Sequence, residues 1–195
     1  QLGIPADAGA FLLIEVDGDP AMLEKEIMQV QEICQANQAI RIKVAQNEKE
    51  QDQLWKARRS ASPSMAHYGA YKKINEDIVV PRAAIPEFIT RAEAIAEEYA
   101  CPIINFGHAG DGNIHMNVLV PKPEDLERGH QAVEAVFEIT VELGGRISGE
   151  HGIGLSKRDY IDKNLSPEVQ ALMKRIKKSF DPGNILNPGK IFNPE

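Results

Sequence analysis

The 195-residue sequence predicts an α+β fold in which helices pack mainly on one face of an antiparallel sheet. Short apolar runs of strand length alternate with amphipathic stretches of helical period. Two of the apolar runs flank a glycine-rich turn, which is typical of an antiparallel hairpin. Strands and helices alternate at first, and a hairpin, a helix and a short strand follow, an order that favours an α+β architecture.

The strands are predicted from apolar or alternating residues that end at Gly, Pro or Asp. In the hairpin, Met116 and Val118 are expected to point toward the core because they alternate with polar residues. The predicted strands are residues 10–16, 40–45, 74–80, 102–108, 114–120 and 146–148.

The helices are predicted from apolar residues that recur at three- and four-residue spacing. Ser166 and Pro167 form a favourable helix start, because the serine side chain can accept from free backbone N–H groups and proline tolerates the first turn. Pro63 is expected to interrupt the second helix within residues 60–64. The predicted helices are residues 21–36, 48–59, 86–99, 124–143 and 167–180, and the tail from 181 is expected to be extended or turned.

The composition is that of an ordinary globular protein, with 43% hydrophobic and 26% charged residues. The formal net charge of -7 argues against nucleic acid as a partner, because phosphates would repel the chain. Mean hydropathy is -0.32, and no apolar run has the length of a membrane span. Cys34 and Cys101 are expected to be reduced thiols of a cytoplasmic protein. Gln1 is followed by no signal-peptide pattern, so we expect that a preceding segment is missing.

A histidine-containing hairpin carries most of the chemical information. With residues 110–113 as the loop, His108 would lie directly opposite His115, and their Cβ atoms would be about 5 Å apart. Two imidazoles at that separation can reach one metal ion. Asn117 lies two positions beyond His115 and is expected on the same face. The alternative is a hairpin with two cross-strand histidines and no ligand.

The segment Gly149–Gly154 places Glu150 and His151 in a glycine-rich loop. Glu150 is the expected third metal ligand, because two histidines and one carboxylate leave an open coordination position, as in catalytic sites. His151 would project differently and could act as a base near neutral pH. The alternative is a solvated Glu–His pair, and the expected closeness of this loop to the hairpin does not follow from sequence spacing.

Residues 107–117, 148–154 and 180–190 resemble the C-terminal domain of the FAD-linked oxidases. This family includes glycolate oxidase subunits, D-lactate dehydrogenases and D-2-hydroxyglutarate dehydrogenase. Residues 13–18, 54–58 and 75–82 are also similar to it, so the resemblance spans nearly the whole chain. We therefore take residues 1–195 as one domain. The hairpin and the Glu–His loop are its specific parts.

The resemblance implies a ferredoxin-like α+β domain and a divalent metal bound by His108, His115 and Glu150. Zinc, manganese and iron all suit such a ligand set. The resemblance also implies that His151 is the catalytic base.

For the substrate, the resemblance implies that Arg58 and Asn117 hold the carboxylate and the hydroxyl. A lysine is expected to join the carboxylate site, with Lys73 as the choice and Lys72 as the alternative. The segment around Asn187 is similar to one that approaches FAD from this side. FAD itself would be held mainly by an N-terminal flavin-binding domain that this chain does not include.

The implied activity is oxidation of a small 2-hydroxy acid, of the D-lactate or glycolate type, to a 2-oxo acid. His151 would take the hydroxyl proton while the hydride passes to the flavin, and an electron-acceptor protein or a quinone could reoxidise it. The full-length protein is expected in the cytoplasm, with peripheral membrane attachment as an alternative. Two other functions remain open: a metal-dependent hydrolase, and a non-catalytic module that binds small acids.

Overall fold

The structure is a computed structural model that describes residues 4–5 and 7–192. The chain divides into two compact units, Gln1–Tyr68 and Gly69–Glu195. Within the described residues, no helix combines the length and the apolar character that crossing a membrane requires.

The first unit contains α1 (Pro20–Ala36), α2 (Glu48–Ser64) and a short 3-10 helix (Met65–Tyr68). The Asp19 side chain caps α1 by accepting from the Ala21 N–H at 3.0 Å. The Asn47 side chain caps α2 by accepting from the Glu50 N–H at 3.1 Å. Polar caps therefore begin both helices.

The second predicted helix was expected to be interrupted at residues 60–64, and that expectation is wrong. The helix continues to Ser64 with Pro63 in its last turn. Ser60 and Ser64 donate their hydroxyl groups to the carbonyls of Lys56 and Ala61, at 2.7 and 2.8 Å. A proline this close to the helix end disturbs few backbone hydrogen bonds, so the helix tolerates it.

The strands predicted at residues 10–16 and 40–45 are not formed in the described part of the chain. Leu12 and Ile40 are largely exposed, at 67% and 63%. An apolar run becomes a strand only when a neighbouring strand pairs with its backbone, and these segments take part in no described ladder.

The second unit contains the sheet and the remaining helices. Its elements are β1 (Lys72–Val79), a 3-10 helix (Arg82–Ala84), α3 (Ile85–Glu98), β2 (Ile103–His108), β3 (Asn113–Val120), a 3-10 helix (Pro123–Asp125), α4 (Leu126–Glu142), a 3-10 helix (Arg158–Tyr160), α5 (Ile161–Asn164) and α6 (Pro167–Phe180).

The sheet is antiparallel, with strand order β1-β3-β2. After α4 the chain returns to the free edge of β1, where Arg146 pairs with Val79 in an isolated antiparallel bridge. The strand predicted at residues 146–148 is thus reduced to one bridging residue. The resulting β-α-β-β-α order, closed by this bridge, is the ferredoxin-like arrangement. The predicted α+β fold class is confirmed.

Helices α3 and α4 pack on one face of the sheet and bury the core there. The residues predicted to point inward from β3, Met116 and Val118, are fully buried. They belong to one cluster with Phe88 of α3 and Phe137 of α4. Because side chains alternate along a strand, His115 and Asn117 lie on the opposite face of the sheet.

Candidate metal centre

The hairpin forms as predicted, but its register differs from the expected one. His115 lies opposite Phe106, and His108 lies opposite Asn113. The prediction that His108 directly opposes His115 is therefore wrong. Positions 106 and 108 share a face, so His108 still lies on the His115 side of the sheet, with 5.9 Å between the two ring centroids.

Local turn chemistry explains the shift in register. The Gly112 N–H donates to the His108 carbonyl at 3.0 Å, so the turn closes between these residues. The Asp111 side chain accepts from the Asn113 N–H at 3.0 Å, which draws Asn113 into the strand. Gly112 has a φ of 84°, a conformation that glycine adopts without steric cost.

The Glu–His loop lies beside the hairpin. Glu150 Oε1 is 3.4 Å from His115 Nε2 and 3.7 Å from His151 Nε2. The His115 and His151 rings are nearly parallel, with 5.6 Å between their centroids. One carboxylate oxygen therefore lies against two imidazole nitrogens, and segments about 35 residues apart in sequence meet at one place.

Asp77 joins this group, although no motif of the sequence predicted a role for it. It pairs with His115 across β1 and β3, and its side chain is fully buried. Its Oδ2 accepts from the N–H groups of Gly149, Glu150 and His151, at 2.9, 2.7 and 2.8 Å. β1 also carries Asn75 and Glu76 beside Asp77, so the sequence of this strand did not single out Asp77 as the buried charge.

The environment shifts the pKa values of two members. Burial lowers the pKa of His115 below its ordinary 6.5, although the carboxylates of Glu150 and Asp77 offset part of this effect. Burial raises the pKa of Asp77, but the N–H groups of His151 and Glu150 and the charges of His151 and Lys157 outweigh it. The net pKa therefore lies below 3.8. At neutral pH the site then holds a neutral His115 and an ionised Asp77.

These residues fit a divalent cation. Asp77, His115, Glu150 and His151 each offer a ligand atom, and those atoms lie within 4.8 Å of one another. In a tetrahedral zinc site, ligand atoms about 2.1 Å from the ion are about 3.4 Å apart, which matches the distance from His115 to Glu150. His108 is not in this compact group, although its ring faces that of His115.

Asn117, a predicted substrate ligand, is fully buried on the site side of the sheet. Its Nδ2 group donates to the carbonyls of Ile104 and His115, both at 3.1 Å. Its Oδ1 accepts from Asn75 Nδ2 at 2.9 Å. In this arrangement the Asn117 amide is bonded to protein groups and orders the centre of the sheet.

Strand alternation separates the two lysine candidates. Lys73 and Asp77 are both odd-numbered positions of β1 and share one face, whereas Lys72 faces the other way. Lys73 is exposed and lies four positions from Asp77, about 13 Å along the strand. Lys73, and not Lys72, therefore lies on the face of the sheet that carries the histidines. It is nevertheless well separated from them along the strand.

The two remaining candidates lie elsewhere in the chain. Arg58 is a partly exposed residue of α2, in the first unit. Asn187 is an exposed residue of the C-terminal tail, with a φ of 48°. The tail beyond Asn187 returns to the Glu–His loop, because the Ile191 N–H donates to the Gly154 carbonyl at 2.8 Å.

Comparison with known proteins identifies relatives across the whole chain. A family model described as "FAD linked oxidases, C-terminal domain" matches residues 1–191. The glycolate oxidase subunit GlcD of Bacillus subtilis is 41% identical over 194 residues, which cover 98% of this chain and 41% of that protein.

Two further relatives have similar identity. The D-lactate dehydrogenase of Archaeoglobus fulgidus is 41% identical over 169 residues, covering 85% of this chain and 36% of that protein. The D-2-hydroxyglutarate dehydrogenase of Stutzerimonas stutzeri is 40% identical over 155 residues, covering 76% of this chain and 33% of that protein. The chain thus spans well under half the length of these relatives.

Proposed function

Because the chain belongs to the FAD linked oxidases, as their C-terminal domain, we propose that it forms the substrate-side, metal-binding part of a flavin-dependent 2-hydroxy-acid dehydrogenase. The names of the relatives support this proposal, since glycolate, D-lactate and D-2-hydroxyglutarate are all 2-hydroxy acids. The reaction would convert such an acid to a 2-oxo acid. FAD would accept the hydride and would be held mainly by a flavin-binding domain outside this chain.

The observation that carries the proposal is the 3.4 Å approach of His115 Nε2 to Glu150 Oε1. We propose His115 and Glu150 as two ligands of a divalent cation, zinc, manganese or iron, and His108 as the third. A bound divalent cation supplies Lewis acidity, which lowers the pKa of an alcohol. The lowered pKa of His115 supports this role, because burial favours the neutral form in which imidazole binds cations.

His151 is the proposed catalytic base. Its side chain is 49% exposed, so a substrate can reach it, and its Nε2 lies 3.7 Å from Glu150 Oε1. An imidazole near a carboxylate can accept the hydroxyl proton at neutral pH and retain it as the hydride leaves. The main-chain N–H of His151 is anchored to Asp77 at 2.8 Å, which supports a defined position for the base.

The substrate carboxylate requires positive charge in a chain whose net charge is -7. We propose Arg58, whose planar guanidinium can pair with a carboxylate through two hydrogen bonds, with Lys73 as a second cation. Asn117 is the proposed partner of the substrate hydroxyl, and binding it would require Asn117 to exchange one of its present hydrogen bonds to Ile104 and His115. The proposed partners are a small 2-hydroxy acid, the flavin-binding domain approached by the segment around Asn187, and an electron-acceptor protein or a quinone.

A matched pair of variants tests the assignment of the two histidines. In the full-length protein, His108→Ala is expected to lose the metal, whereas His151→Ala is expected to keep it and to lose oxidation of D-lactate and glycolate. Elemental analysis and flavin reduction measure the two properties. If His151→Ala loses the metal and His108→Ala retains it, the assignment is contradicted, and His151 would be the ligand instead of His108.

The isolated 195-residue chain is expected to show no 2-hydroxy-acid oxidation, because the flavin-binding domain proposed to hold the hydride acceptor lies outside these residues. Metal-dependent hydrolysis of an ester or amide by this chain would instead favour the hydrolase function. Absence of any divalent-metal binding would favour a non-catalytic module.

A further inference from the structure

Asp77 divides its two carboxylate oxygens between two segments of the chain. Oδ2 accepts three consecutive backbone N–H groups, those of Gly149, Glu150 and His151, and lies 3.4 Å from the Ser148 hydroxyl. Three backbone donors satisfy one oxygen fully and hold the loop in a single conformation. The backbone that carries Glu150 and His151 is therefore bonded to one buried side chain of β1.

The other oxygen, Oδ1, is buried and has no hydrogen-bond partner. It lies 3.9 Å from His115 Nδ1, while His115 Nε2 lies 3.4 Å from Glu150 Oε1. A buried carboxylate oxygen without a hydrogen bond is costly, so its orientation toward an imidazole calls for a reason. An anion near a ring nitrogen favours the tautomer whose proton is on that nitrogen, because the N–H dipole then points at the negative charge. Glu150 lies nearer, at Nε2, but its side chain is 53% exposed, whereas that of Asp77 is fully buried. Solvent therefore screens the charge of Glu150 more strongly, and the buried anion favours the proton on Nδ1.

We propose that Asp77 is the positioning residue of the centre: it fixes the Glu150–His151 loop through Oδ2 and sets the tautomer of His115 through Oδ1. With its proton on Nδ1, His115 directs the lone pair of Nε2 toward Glu150, as a metal ligand must. The expected effect on metal affinity rests on the proposed function. The anchoring of the loop and the choice of tautomer do not, because both can be observed in the metal-free chain.

Two features argue that Asp77 positions ligands and is not itself a ligand. Its Oδ2 is already occupied by the loop N–H groups. Its Oδ1 faces the Nδ1 side of His115, and the Nδ1–H bond and the Nε2 lone pair point in diverging directions. A cation that shares Nε2 with Glu150 therefore lies away from Asp77. Removing a carboxylate that contacts the other ring nitrogen of a metal-bound histidine typically lowers metal affinity by about 10- to 100-fold.

The test is Asp77→Asn, with Glu76→Gln as the matched control. Asn keeps the shape, and its carbonyl oxygen can still accept from the loop, but its amide N–H would face His115 Nδ1 and favour the proton on Nε2. Glu76 is the neighbouring carboxylate of β1 and contacts Lys157 instead of the centre. Long-range ¹H–¹⁵N spectra report the tautomer of His115, and competition with a chelating dye reports zinc affinity.

In the wild-type chain we expect the Nδ1–H tautomer. In Asp77→Asn we expect the Nε2–H tautomer and zinc affinity lower by about 10- to 100-fold. Glu76→Gln removes the buried ion pair with Lys157 and should lower stability, but it should keep the wild-type tautomer and the wild-type zinc affinity. In Asp77→Ala, amide hydrogen exchange at Gly149, Glu150 and His151 should accelerate, because their common acceptor is gone.

Several results would overturn the inference. One is an Nε2–H tautomer in the wild-type chain, which requires no variant and therefore no assumption about variant folding. The others are an unchanged tautomer in Asp77→Asn and unchanged loop exchange in Asp77→Ala. If the wild-type chain binds no zinc while the tautomer and the loop respond as expected, the proposed function fails and the positioning role of Asp77 stands.

Discussion

Glu76 and Lys157 form an ion pair that is almost completely shielded from solvent, with 3.3 Å between Oε2 and Nζ. Lys157 also donates to the carbonyls of Asp77 and Ile147, at 2.8 and 2.7 Å. Burial raises the pKa of Glu76, and attraction to Lys157 offsets part of that rise. One lysine thus ties β1 to the chain segment that leads into the Glu–His loop.

Replacing Lys157 by Met is expected to destabilise the protein by about 3–5 kcal/mol, because it leaves the buried Glu76 without a counter-charge. Urea denaturation followed by circular dichroism measures this change. The matched control is Lys163→Met, since Lys163 contacts two carboxylates at 2.8 Å, those of Glu134 and Glu138, on the surface. Exposed pairs contribute about 0–1 kcal/mol, so equal losses in both variants would contradict the structural role of Lys157.

Gly149 packs closely against side chains of β3 and β1. A Cβ atom built there would be 2.9 Å from the side chain of Asn113 and 3.0 Å from Asp77 Oδ1. Gly149→Ala is therefore expected to cost about 1–3 kcal/mol and to weaken zinc binding, because the loop must move away from Asp77.

Gly110 provides the control for this substitution, because it lies in the hairpin turn with open space around its Cα. Gly110→Ala is expected to change stability by less than about 0.5 kcal/mol. Thermal denaturation and zinc titration of both variants distinguish them. A Gly149→Ala protein indistinguishable from Gly110→Ala would show that the loop does not pack as described.

Asp181 gives a pH dependence to the C-terminal tail. A hydrogen bond from Lys177 lowers the pKa of this carboxyl below its ordinary 3.8, and the N–H groups of Leu186 and Ile185 act in the same direction. A depressed pKa in the folded state means that the ionised carboxylate stabilises the tail above pH 3.8. That contribution is lost as the pH falls through the lower pKa of the folded state.

We therefore expect the amides of Ile185 and Leu186 to lose hydrogen-exchange protection below pH 3.8 in the wild type. Asp181→Asn should remove this pH dependence, and Lys177→Met should move it to higher pH. Protection that is independent of pH in the wild type would contradict the role of Asp181.

Features of the fold and the site that depend on neighbouring residues were predictable from sequence. The glycine-rich turn and the alternation of His115 with Met116 indicated a hairpin with one polar and one apolar face. The helix start at Ser166 was also confirmed, since its hydroxyl accepts from the Val169 N–H at 3.5 Å. Such signals depend on residues close in sequence, so they can be recognised without knowledge of tertiary contacts.

Features that depend on distant contacts were not predictable. The hairpin register is a local exception, because it follows turn hydrogen bonds, such as that from the Asn113 N–H to the Asp111 side chain, that the glycine-rich pattern did not specify. The apolar segments at residues 10–16 and 40–45 carry strand-like patterns, but pattern alone does not supply a pairing partner. Asp77 is more than seventy residues from the loop that it holds, so its role emerged only from the folded arrangement.

The central claim is that His115 and Glu150 share one divalent cation. Its most direct test is the zinc content of the 195-residue chain after zinc loading and exhaustive dialysis, measured by elemental analysis for the wild type and for His115→Ala. We predict about one zinc per wild-type chain and less than about a tenth of that in the variant. A wild-type chain without zinc, or a His115→Ala chain that retains it, would contradict the claim.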